Sequence, residues 1–260
     1  MAPFIGTGDV PRFELDLDTL ISLAIAFCLM PAAQTLAKFS LPKGTPTKYK
    51  GLFIWHAYDC LTHFILEASY LYHCFFSYTQ LPVPTEDFPH PASRSGSSPP
   101  ILYNCADRLY GPFYGHGPMA RLWQEYAKAD KRWGGADLNV ISLEILTCFL
   151  MAPLAVFVCY EISRSMNATD EQSKNAAKAR IWFTAIFVAT SELYGGFMTF
   201  APEWLSGNTM LTTDDPVFFW LHLVFFNTIW VYVPLWVLFE GYREISAAFT
   251  FPASVAKKKS

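Results

Sequence analysis

Five intervals of this chain are long and apolar enough to cross a hydrocarbon core of about 30 Å, and nothing else in the sequence narrows the fold as much. They run from Leu20 to Ala37, Leu52 to Tyr78, Leu138 to Ile162, Ile181 to Pro202 and Val217 to Phe239. Lipid offers no partner for a broken backbone, so each interval is expected to be a helix and the whole an all-α, polytopic five-helix bundle. Composition agrees, with 52% hydrophobic and only 16% charged residues in the 260. Pro31, Pro153 and Pro234 predict kinks in three of the spans. The net charge of −3 is small, and with no basic stripe no nucleic acid is expected as a partner.

Charge in the connections sets an expected orientation. Lys38, Lys43, Lys48 and Lys50 lie between the first two spans, and Arg164, Lys174, Lys178 and Arg180 between the third and fourth. The N-terminus (Asp9, Glu14, Asp16, Asp18) and the connection carrying Glu203, Asp214 and Asp215 are acidic. Positive residues mark the cytosolic side, so residues 1–19 are expected to be lumenal and the basic tail, 244–260, cytosolic. Acids where a basic n-region should stand argue against a cleaved signal peptide. Lys257 and Lys258, four and three residues from the end, resemble a dilysine retrieval signal and suggest the endoplasmic reticulum membrane, multi-pass; the plainer alternative is a basic tail drawn to anionic lipid.

Within the second interval, Trp55 to Tyr78 carries Asp59, His63 and Glu67 at four-residue spacing. At about 3.6 residues per turn they share one helix face. Ionisable groups at membrane depth are costly and nearly always face a protein interior or a cavity, which makes this face the first candidate for an active site. The alternative is that Asp59 and His63 satisfy each other while Glu67 points into a wet cavity. His56, His73 and His222 lie off this constellation or near span ends and read as structural or interfacial, and Glu161 and Glu240, at span ends, read as solvated. No CxxC or HExxH spacing and no glycine-rich nucleotide motif occurs, so neither a metal nor a cofactor is expected.

The longest connection divides in two. Residues 81–100 are rich in Pro and Ser and read as an irregular lumenal insertion. Residues 101–137 are dense in aromatics and charges and read as a lid packed across the mouth of the bundle. This part contains Leu122-Trp-Gln-Glu-Tyr-Ala-Lys-Ala-Asp-Lys-Arg-Trp133, followed eleven residues later by Glu144 in Ser-Leu-Glu-Ile-Leu-Thr147. Here the sequence resembles the emopamil-binding-protein (EBP) family, also called the EXPERA-domain or sterol Δ8–Δ7 isomerase family. Thr62-His63-Phe-Ile-Leu-Glu67, Leu193-Tyr194-Gly195 and Phe226-Asn227-Thr-Ile-Trp230 with Pro234 look like three further family segments. The resemblance covers roughly Gly51 to Arg243, within a transmembrane domain expected over 20–243.

The resemblance implies a bundle with a membrane-accessible internal cavity and an intramolecular isomerase that shuttles protons. An acid protonates a ring alkene of a sterol, a tertiary carbocation forms, and a second group removes a neighbouring proton. By matching position, His63, Glu67 and Glu144 would form the shuttle, Thr147 would position Glu144, and Asn227 would orient an acid. Trp230, with Tyr194 at less weight, would stabilise the cation and bind substrate. The chemistry is sound on general grounds, since burial disfavours carboxylate anions and aromatic faces stabilise cations. Glu144 has a plainer alternative as a helix cap, and Asn227 as interhelical glue.

Two departures stand out. The family usually has an uncharged residue where Asp59 stands and a glutamine where Glu192 stands, so both are additional acids. They raise the alternative of a terpene or meroterpenoid cyclase acting on a prenyl or epoxy-prenyl substrate; a non-catalytic sterol- or lipid-binding protein is the second alternative. The expected partners are a hydrophobic small molecule and membrane lipid, with a homodimer left open.

Overall fold

The computed structural model describes residues 12–81, 102, 105 and 107–250. Most of the Pro/Ser-rich insertion, the first eleven residues and the lysines of the tail lie outside the described residues. Helix makes up about 79% of the structure. The helices are α1 (Leu17–Ser40), α2 (Thr47–Leu61), α3 (Ala68–Phe76), α4 (Pro118–Tyr126), α5 (Leu138–Leu146), α6 (Ala152–Asn167), α7 (Glu171–Ser206) and α8 (Phe226–Thr250). Strands are limited to a three-residue antiparallel pair, β1 (Tyr78–Gln80) with β2 (Arg108–Tyr110).

Several junctions are not breaks. Thr62–Glu67 is a π-helical stretch joining α2 to α3, Thr147–Met151 joins α5 to α6, and Phe218–Phe225 leads into α8. Four of the resulting helices are long and apolar enough to cross a membrane: Leu17–Ser40, Leu138–Asn167, Glu171–Ser206 and Phe218–Thr250. The fifth expected span, the continuous helix from Thr47 to Phe76, falls outside that set. Its centre carries His56, Asp59, His63 and Glu67, which lower its mean hydropathy.

The bundle is assembled by α1 on α2, α2 on α6, α6 on α7 and α7 on α8. Lipid is as apolar as a leucine side chain, so close packing must supply what hydrophobic burial supplies in water. Small residues do this here: Ala33 and Ala37 of α1, Ala155 of α6, and Ala177, Ala185 and Ala189 of α7 are all buried at contacts. Glu161 and Glu240, expected in solvent, are buried instead. Each is paired, Glu161 with Arg164 and Arg180 and Glu240 with Lys48 and Arg243, because long basic side chains reach inward from the helix ends.

Across one end of the bundle lies the segment from β2 through α4 to Trp133. Trp123 stacks on Trp133 with ring centroids 4.8 Å apart and 8° between planes, and Tyr70 of α3 packs on both. The Trp123 indole donates to Ser69 Oγ at 2.9 Å. The Glu125 carboxylate accepts from Thr19 of α1 and from Lys128, so the charged residues of the aromatic motif tie this segment down at its edge. Asp215 draws in the chain ahead of α1 by accepting from the Phe13 backbone N–H, a bond that holds its carboxyl below the usual carboxylate range.

The segment turns at Gly111, whose φ of +136° suits glycine alone and where a Cβ would stand 2.6 Å from the backbone of Gly135. Gly111→Ala is therefore expected to destabilise the protein by about 1–3 kcal/mol, read as a lowered thermal midpoint. An unchanged midpoint would mean that the lid contributes little to global stability.

Candidate active site

All three π-helical stretches border one cavity of about 730 Å³, large enough for a drug-sized or sterol-sized molecule. A π turn is wider than an α turn and moves side chains out of the usual register; such turns recur at functional sites. Here each is closed by a bond spanning five residues, Ala68 N–H to His63 O, Ala152 N–H to Thr147 O and Phe226 N–H to Leu221 O. Side chains reinforce two of them, with Cys148 Sγ donating to His63 O and Asn227 Nδ2 to His222 O.

The first turn aims His63 and Glu67 into the cavity, where His63 Nδ1 is hydrogen-bonded to Glu67 Oε2. The second presents Thr147, one turn after Glu144. Its hydroxyl lies 2.6 Å from Glu144 Oε2 and 3.0 Å from Glu67 Oε2. A hydroxyl has one proton to donate. It serves one carboxyl, and the other carboxyl must supply its own proton to keep so short a contact favourable. One protonated and one ionised carboxyl side by side satisfy this arrangement.

His63, Glu67 and Glu144 each offer one atom within 4.8 Å of the others, a spacing a cation would fit. Their facing atoms are joined through Nδ1, Oε2 and the Thr147 hydroxyl in one hydrogen-bonded cluster.

Behind this group, Asp59 is completely buried. Its Oδ1 accepts from the Trp230 indole at 3.1 Å and lies 3.0 Å from His63 Nε2, close but not aligned as a directed hydrogen bond. Trp230 packs against Trp55 and Tyr58 and lines the cavity. Glu192 also lines it, accepting from the Trp55 indole at 3.2 Å.

Asn227 lies on the cavity wall, yet its amide bonds no acid among the described residues. Its amide donates to the carbonyls of His222 and Leu223 and, at 3.3 Å, to the Tyr126 hydroxyl, so it holds the third π turn and meets the lid. Its expected role of orienting an acid has no geometric support. Tyr194 does not join the site at all: it is 63% exposed and off the cavity wall, because two residues beyond Glu192 a helix turns by about 200°.

His222, read from sequence as structural or interfacial, is a buried residue of the cavity wall, which Tyr126 of α4 also lines. Trp55, the partner of Glu192, is a further site residue that sequence reasoning misses. The spacing of Trp55 to Asp59 signals it, since four residues place both on one helix face.

A family model described as EXPERA, the expanded EBP superfamily, matches residues 118–241. That segment includes Glu144, Thr147, Glu192, Asn227 and Trp230, while Asp59, His63 and Glu67 precede it. The chain is similar to isomeliandiol synthase of Melia azedarach, 26% identical over 129 residues that make up 50% of this chain and 54% of the relative. It is likewise similar to 3-beta-hydroxysteroid-Delta(8),Delta(7)-isomerase of Mus musculus, 26% identical over 143 residues, 55% of this chain and 57% of the relative. In these two the chain spans little more than half the relative's length. A probable 3-beta-hydroxysteroid-Delta(8),Delta(7)-isomerase of Arabidopsis thaliana is 21% identical over 241 residues, 93% of this chain and 85% of the relative.

Proposed function

We propose that this chain, which belongs to the EXPERA family, is a membrane enzyme that isomerises its substrate by protonating an alkene and withdrawing a neighbouring proton. The substrate we assign is a Δ8-sterol, converted to its Δ7 isomer. One observation carries the reading: a single Thr147 hydroxyl joins Glu67 to Glu144 at the wall of an apolar cavity.

One of the two carboxyls gives its proton to an alkene carbon, and the electron pair of the π bond forms the new C–H bond. The positive charge left on the adjacent carbon faces a wall of aromatic rings that includes Trp230. The other carboxyl then takes a proton from the next carbon, and that C–H pair closes the new double bond. Thr147 and His63 pass the proton back, so the enzyme ends as it began and the product is an isomer. Dry, non-nucleophilic walls protect the cation from capture.

Similarity to sterol isomerases supports the sterol as substrate. We further assign the chain to the endoplasmic reticulum membrane, with its N-terminus lumenal, on the basic connections and the tail lysines. Residues 20–243 would form the transmembrane domain, and the segment over the cavity its lid. A cyclase acting on a prenyl-derived chain is the second reading, favoured by the pair of extra acids, Asp59 and Glu192.

Purified protein turning over a Δ8-sterol in heavy water is expected to place one deuterium in the Δ7 product. Failure to convert any Δ8-sterol, together with cyclised product from an epoxidised prenyl substrate, would reject the isomerase in favour of the cyclase.

A further inference from the structure

Two adjacent glycines, Gly195 and Gly196, stand inside the 36-residue helix α7. Glycine is the poorest helix former after proline, so a pair of them in a helix interior calls for a reason. Backbone geometry does not supply it, because neither residue has a positive φ and both are helical. Close packing does not supply it either. At Gly241 of α8 packing is the reason, since a Cβ there would stand 2.8 Å from the Ile186 side chain of α7. At Gly195 and Gly196 a Cβ would meet no atom of the described residues within 4 Å.

The space in front of the pair belongs to the cavity, which both glycines line. At about 100° per residue, Gly195, Gly196 and Thr199 all point within about 60° of the direction of Glu192, and all four line the cavity. Tyr194, about 200° from Glu192, faces away and is exposed. One turn of α7 therefore presents bare backbone to the cavity. Thr199 donates its hydroxyl to Gly195 O at 2.9 Å, which keeps that side chain close against its own helix. At the other end of the bare turn, Glu192 is more than nine-tenths buried and leaves Oε2 without a donor among the described residues. A buried acceptor of this kind is costly until a partner arrives, and a ligand hydroxyl is such a partner.

We propose that Gly195 and Gly196 are specificity-determining residues: their missing side chains form a flat wall against which the face of a rigid, fused-ring substrate lies. This deepens the isomerase reading and rests on it for the use of the cavity. An acyclic chain can rotate about its single bonds to pass around an added methyl group. A fused-ring molecule has no such freedom, so a methyl group on this wall pushes the whole ring system away from the acids opposite. The pair thus admits width that only a rigid ring system needs.

The test uses substitutions that should help the fold and harm the ligand. Gly195→Ala and Gly196→Ala are made in the full-length protein in lipid nanodiscs, and the thermal midpoint without ligand is measured beside the binding of zymosterol, a Δ8-sterol, and of farnesol, an acyclic prenyl alcohol. The midpoint is expected to stay or rise, because alanine is the better helix former and meets nothing. Affinity for zymosterol is expected to fall at least about tenfold, the scale of one methyl group in a fitted pocket. Affinity for farnesol, whatever its wild-type value, is expected to stay within a few-fold. A lowered midpoint in both variants would overturn the proposal, since the space would then be filled by protein. So would zymosterol binding within a few-fold of wild type in both, equal losses for the two ligands, or a wild type that does not retain zymosterol. Binding needs no turnover, so the two readings fail separately. A wild type that binds zymosterol without converting it, with the alanine effect intact, rejects the isomerase alone; conversion with a wild-type KM in both variants rejects the role of the glycines alone.

Discussion

Replacing Glu67 or Glu144 with Gln is expected to lower turnover of a Δ8-sterol by at least about 100-fold while leaving ligand binding nearly intact. Glutamine keeps the length and the acceptor oxygen that meets the Thr147 hydroxyl, and the cavity keeps its shape. What it loses is a transferable proton. The two positions are equivalent in this respect because the Thr147 hydroxyl touches both, so either substitution leaves an acid without a base or a base without an acid. Turnover and equilibrium binding of the same sterol, measured side by side, separate this from a packing defect. Full activity in both variants would sink the shuttle.

The second large effect is on stability and lies outside the chemistry. Arg132→Met is expected to cost about 3–5 kcal/mol, because it strands buried negative charge. Arg132 is 5% exposed and sits at the join between lid and bundle. Its guanidinium donates to both oxygens of the fully buried Asp130, at 2.9 and 2.6 Å, and to Thr199 O of α7, with Glu203 at 3.9 Å. Burial works against its charge, but the hydrogen bonds and charge of Asp130 outweigh burial and raise its pKa above the ordinary value. The neighbouring backbone depends on this knot: Lys131 N–H donates to Met210 O, and Thr212 N–H to Ala129 O. The double variant Asp130→Leu/Arg132→Met should recover part of the loss, since it removes the stranded charge along with its partner. A single variant that unfolds at the wild-type temperature would show that the knot is not a stability element.

The knot also explains why the aromatic motif is legible in the amino-acid sequence. Trp123, Tyr126, Asp130, Arg132 and Trp133 all act within one short segment or against the helix beside it. Local spacing therefore carries the information. The same holds for Asp59, His63 and Glu67, whose common face follows from helix geometry alone, and for the apolar intervals, which lipid permits to be nothing but helix.

Other features depend on which helices meet. Nothing in the sequence marks the three π turns, because a π turn forms where side-chain packing outweighs the better hydrogen bonds of an α-helix. Tyr194 and Glu192 are two residues apart, and only the packing of α7 against α6 and α8 decides that the acid turns inward and the tyrosine outward. Asn227 lies on the correct wall, but the carbonyls freed by the third π turn take its amide before any acid can. Glu161 and Glu240 look solvated from their places at span ends, yet basic partners from the same helix and from neighbouring ones allow both to be buried.

By itself the sequence determined the helical class, the stack on the second helix and the aromatic motif, since each is set by periodicity within one segment. Tertiary structure alone decided that Glu144 meets Glu67 through one hydroxyl, that the Trp230 indole reaches Asp59, and that the Trp55 indole reaches Glu192. Those contacts join helices far apart in the chain, and the burial that makes a shared proton necessary arises only once the helices have closed around them.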